Sequence, residues 1–88
     1  MANFMGGSAP AMAGQVAEGY ILLNVSTIKG YSPGDLANLR AELEKLQREA
    51  RAVVPPQDDA PANQARNRRI GRLTSAILIV TQALAVKR

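Results

Sequence analysis

The residues with chemical potential in this chain are cations and one tyrosine, and they suit binding rather than bond making. Lys29 and Tyr31 stand just ahead of a helix start at Ser32-Pro33-Gly34-Asp35, and Lys45 follows inside that helix. A tyrosine before a helix N-terminus can stack on a base, while helix amides and a lysine hold phosphate. Further on, Arg66, Arg68, Arg69 and Arg72 fall within seven residues with no acid among them. The formal net charge is +4, with the excess in the second half, which favours an anionic partner: phosphate, nucleic acid or a lipid headgroup. Tyr31, Lys45, Lys29, Ser32, Arg69 and Arg72 are therefore the candidate ligand-binding residues. Each also has a plainer reading. Tyr31 serves equally as an apolar lid over the helix start, Lys45 as one ion on a solvated face, and the arginines as a soluble helix end balancing an acidic connector.

Catalysis is not expected. The chain has neither His nor Cys, which removes the usual general base, the thiolate nucleophile and the commonest zinc ligands. The carboxylates are Glu18, Asp35, Glu42, Glu44, Glu49, Asp58 and Asp59. Asp35 is placed to cap a helix, the helical glutamates alternate with Lys and Arg, and Asp58 and Asp59 occupy a turn where Asp bonds locally. No Gly-rich phosphate loop is present. No cofactor and no metal are expected.

These residues need elements to position them. Eighty-eight residues allow one small domain with a modest core. Small domains are usually reinforced by disulfides, a metal or oligomerisation, and only the last suits this composition. Residues 1–27 read as an N-terminal arm, flexible or with short structure. Met1 to Gly14 is rich in Gly, Ala, Met and Ser, and Phe4 and Met5 could dock on a partner subunit. The run Tyr20-Ile21-Leu22-Leu23 is too short to type as strand or helical turn. The first 19 residues lack the basic start and unbroken apolar run of a signal peptide, and no stretch approaches about 18 uninterrupted apolar residues. The expected location is the cytoplasm, with no membrane association.

Residues 28–88 predict an all-α antiparallel helical hairpin. Ser32 caps, Pro33 fits the first helical position, and Asp35 completes a capping-box-like pair. Leu36, Leu39, Leu43, Leu46, Ala50 and Val53 then recur at alternating steps of three and four, a narrow seam over a helix of about 33–53. Val54-Pro55-Pro56 ends it. A second helix over about 62–87 carries Ile70, Leu73, Ile77, Val80 and Leu84 at the same spacing. Beyond Thr74 that helix is apolar nearly all round, with Ala76, Leu78, Ile79, Ala83 and Val86 flanking the seam. One neighbour covers only a stripe, so the rest must be covered by other copies in a helical homo-oligomer, or by the N-terminal arm of the same chain.

Ile28-Lys29-Gly30-Tyr31, a capped amphipathic helix, and a second helix closing on Thr81-Gln82-Ala83-Leu84-Ala85-Val86 together resemble the hairpin domain of phage anti-CBASS sponge proteins, a domain shared with a phage anti-Thoeris sponge. The resemblance spans roughly residues 28–88. It implies a non-enzymatic protein of interlocked hairpins, hexameric, which sequesters cyclic di- or trinucleotide immune signals in the infected bacterial host. By the same resemblance Tyr31 matches the base-stacking tyrosine, and Lys45 falls within one position of the ligand-contacting lysine. The chain departs from the pattern at Ser32 (Arg in the family) and at Glu42 (Asn in the family). It lacks the family Trp, and Leu73-Thr74-Ser75-Ala76 stands where a Gln-rich patch is usual.

The leading expectation is thus sequestration of a cyclic oligonucleotide held between protomers. The alternative is a structural or adaptor hairpin that docks on another protein through its coiled-coil seam. Nucleic-acid binding ranks third, because no reading-helix motif accompanies the arginines.

Overall fold

The structure, a computed structural model, describes residues 7–87, and of Lys87 only its place in a helix. Three helices form: α1 (Ala9–Glu18), α2 (Pro33–Ala52) and α3 (Ala60–Lys87). There is no strand among the described residues. The Tyr20–Leu23 run is neither strand nor helical turn but irregular chain leading into turns over 25–30.

Of the two forms expected for the arm over residues 1–27, flexible or with short structure, its described part takes the second, as α1. Its local signals are complete. The Ser8 hydroxyl accepts from the Ala11 amide at 3.2 Å, and Pro10 sits in the first turn. Gly19 ends the helix with φ 86°, and the Gly19 and Tyr20 amides donate back to Val16 and Gln15 at 3.1 and 2.9 Å. That left-handed conformation costs an L-residue roughly 1–2 kcal/mol. Met12, Ala13, Val16 and Ala17 all face the core. Phe4 and Met5, proposed as docking residues, lie outside the described residues.

α2 starts as its sequence predicts. The Ser32 hydroxyl accepts from the Asp35 amide at 3.1 Å, and the Ser32 amide donates to Asp35 Oδ2 at 3.2 Å. Asp59 stands just before α3, and its Oδ1 accepts from the Ala62 amide at 3.2 Å. The Asp59 amide donates to the Pro56 carbonyl at 3.0 Å, and Asn63 Nδ2 reaches the Pro56 and Asp59 carbonyls, each at 2.8 Å. This closes the connector on itself.

All three helices touch one another, and one apolar core runs between them. Met12, Ile28, Leu36, Leu39, Leu43, Leu73 and Val80 are its largest fully buried side chains. Each aliphatic side chain so buried contributes roughly 1.5–3 kcal/mol. The two seams behave unequally. In α2, Leu36, Leu39 and Leu43 are sealed, Leu46 is partly buried, and Val53 is 70% exposed. Toward Val53 the α3 residues alongside are Arg66 and Arg69 rather than aliphatics, which leaves an open groove of about 370 Å³ lined also by Leu46, Ala50 and Pro55. In α3 the buried line is Leu73, Ala76, Val80 and Leu84, so Ala76 takes the place expected of Ile77, which is only partly buried.

Candidate functional site

Two arginines of the cluster bind backbone. Arg66 Nε donates to the Ala50 carbonyl at 3.1 Å and the Val53 carbonyl at 3.0 Å, and its Nη2 donates to the Arg51 carbonyl at 3.1 Å. These are the acceptors a helix leaves unpaired at its C-terminus, where a cation also meets the negative end of the dipole. Arg72 does the same for α1, its Nε donating to the Ala17 carbonyl at 3.0 Å. Arg69 pairs with Glu18, the last residue of α1. Positions 66, 69 and 72 are one helical face, and that face anchors the C-termini of both other helices. Arg68, off this face, is exposed. The reading of the cluster as a balance for the acidic connector is replaced by this role.

The structure puts Tyr31 inside. It is 5% exposed, and its hydroxyl meets Met12 Sδ at 3.3 Å. No base can stack on the ring while α1 stays docked. Ser32 uses its hydroxyl in the α2 cap. Lys45 is exposed on α2, twelve residues beyond Pro33, or about 18 Å along the helix. It is therefore not brought to Tyr31.

Lys29 lies elsewhere. With Val25, Ile28, Ile79, Gln82, Ala83 and Val86 it lines an apolar groove of about 340 Å³ between the turn over 25–30 and the C-terminal part of α3. A second hollow of about 270 Å³, lined by Leu22, Leu23, Gly71, Ser75 and Ile79 among others, opens farther back along α3 and shares Ile79 with the first. Leu22, Val25, Leu78 and Val86 are 83%, 77%, 57% and 85% exposed. The outer side of α3 and the loop between α1 and α2 thus carry exposed apolar side chains. Sequence reasoning picked out Lys29 but not Val25 or Gln82, because only the fold brings the loop beside α3.

The same helix bears on the membrane question. Within Ala60–Val86 an 18-residue window reaches a mean hydropathy of 1.3 with 22% of it buried, long and apolar enough to cross a membrane by length and composition. The expectation that no stretch approaches about 18 uninterrupted apolar residues stands, since the uncharged run covers only 73–86, and a window of that length takes in Arg69 and Arg72 as well as Thr74, Ser75, Thr81 and Gln82.

Among the described residues no cluster of three or more His, Cys, Asp or Glu could hold a metal ion. No protein-family model, curated protein or solved structure matches the chain.

Proposed function

We propose that the protein is a non-enzymatic binding protein in which α2 and α3 form an antiparallel hairpin, several copies assemble through the outer side of α3, and a cyclic di- or trinucleotide is sequestered between them. The observation that carries this reading is the apolar surface at Leu22, Val25, Leu78 and Val86, which stays exposed after α1 has docked. A standard interface takes about 800 Å² from each partner, roughly one seventh of the 5539 Å² accessible here, so it would extend over the loop as well as α3. A second copy on that surface would close over the groove that Lys29 lines. An apolar slot with an amine and the Gln82 amide at its edge suits a base and a phosphate together. The likeness to the sponge hairpin agrees with this reading, including a hexamer in the cytoplasm of an infected bacterium, and Lys45, exposed on α2, is free of the core for a contact made across copies.

The test is thermal unfolding of the full chain with and without cyclic di- and trinucleotides, alongside its mass in solution. A ligand that binds the native state raises the midpoint by mass action. An assembled protein with a raised midpoint is expected. Assembly with no response to any nucleotide leaves the adaptor reading. A monomer that floats with lipid vesicles assigns the α3 surface to a membrane instead.

A further inference from the structure

Three of the six residues with ligand-binding potential are held by one short helix. Tyr31 meets Met12, Arg72 holds the Ala17 carbonyl, and Arg69 pairs with Glu18, and all three partners belong to α1. From these contacts we infer that α1 is a displaceable latch: its C-terminal carbonyl and the Glu18 carboxylate fill, from within the chain, an anion site made by Arg69 and Arg72, and its Met12 covers Tyr31. The inference rests on the sequestration reading above and adds to it a second ligand site, distinct from the groove that Lys29 lines and covered by α1.

The latch is built to open. At ten residues α1 is shorter than the length at which an isolated helix becomes stable in water. It docks by Met12, Ala13, Val16 and Ala17, of which only two are large, and its polar clasps are few. The Arg69–Glu18 pair is partly exposed on both sides, the kind of ion pair that water and added anions compete with readily. Arg69 and Arg72 lie one turn apart on α3, so a phosphate arriving there displaces a carboxylate and a carbonyl, exchanging like for like. Met12 and Ala17 are about 7.5 Å apart along α1. A ligand carrying a base and a phosphate over a similar span would replace both ends of the latch together. Release of α1 would uncover Tyr31, Arg69 and Arg72 in one step, and α2 and α3 would keep their contacts through Leu39, Leu43, Leu73 and Val80.

Hydrogen exchange on the full chain tests this without a ligand. Glu18→Gln removes the ion pair, and Tyr31→Phe removes the hydroxyl contact and keeps the ring. Each is expected to speed exchange of the α1 amides by about twofold to fivefold, with α2 and α3 unchanged. Equal change in all three helices, or no change in α1, overturns the latch. Cyclic di-AMP and inorganic triphosphate are then added separately to the unaltered chain. Faster α1 exchange with either anion supports the latch. Acceleration by triphosphate, with no effect of cyclic di-AMP here and no midpoint shift from any cyclic nucleotide in thermal unfolding, keeps the latch and removes the nucleotide reading. Binding of cyclic di-AMP with α1 exchange unaltered keeps the nucleotide reading and removes the latch.

Discussion

Arg72 and Ala17 are 55 residues apart in sequence, yet the guanidinium Nε of one donates to the backbone carbonyl of the other at 3.0 Å. This bond ties the C-terminus of α1 to the middle of α3. Gly19 stands against the same guanidinium: a Cβ there would lie 3.4 Å from Arg72 Cζ. That is ordinary contact, so Gly19→Ala is expected to lower stability by roughly 1–2 kcal/mol from the left-handed backbone alone. Urea unfolding checks it, as a shift in midpoint at constant slope.

Arg66 and Arg68 separate the capping role from simple charge. Both substitutions to Ala remove one cation. Only Arg66 donates to the three carbonyls that end α2. Arg66→Ala should cost about 1–2 kcal/mol, a fall of several degrees in Tm, and Arg68→Ala should stay within about 0.5 kcal/mol. Equal losses in calorimetry would mean that net charge, not capping, governs this region.

Tyr31→Ala should behave as a core mutation. The ring is buried, and truncation of a buried aromatic costs about 3–5 kcal/mol. For a domain this small, much of the native population is at risk. Loss of ligand binding in that variant alone would therefore say nothing of base stacking. Tyr31→Phe, with its fold checked by circular dichroism, is the informative change.

Leu78→Asp and Val86→Asp probe the proposed assembly. Both side chains are exposed in the single chain, so each change should leave folding within about 0.5 kcal/mol. In an assembly closed over this surface the same carboxylates would be buried without partners, and the mass by light scattering should fall toward that of one chain. An unchanged mass for both variants would place the interface elsewhere.

How much of this was legible in the sequence depends on the range of the interactions. The Ser32–Asp35 start of α2 was readable because a capping box is complete within four residues. The start of α1 was equally local, with Ser8, Pro10 and Gly19 in place and Met12, Ala13, Val16 and Ala17 at helical spacing. Its small residues left the segment open between flexible chain and short structure. Once α1 is recognised, part of the apolar excess of α3 finds its cover inside the chain. The partners of Arg66, Arg69 and Arg72 were not readable at all. A carbonyl left open at a helix end has no sequence signature, and Arg69 and Arg72 reach theirs across half a hundred residues. The same holds for the groove of Lys29, which exists only because the loop lies along α3.

The order of the helices along the chain also sets an order in time. α2 and α3 are joined by a short connector, so their contacts close small loops and can form early. α1 is made before both, and Leu73, Ala76, Val80 and Leu84, the α3 part of the core it joins, are made after α2. During synthesis Met12 and Val16 can meet the α2 leucines as soon as that helix is made, because α1 packs on α2 as well as on α3. Arrival of α3 then completes the core, and the fully buried Leu36 and Leu39 acquire their complete surroundings only at that point.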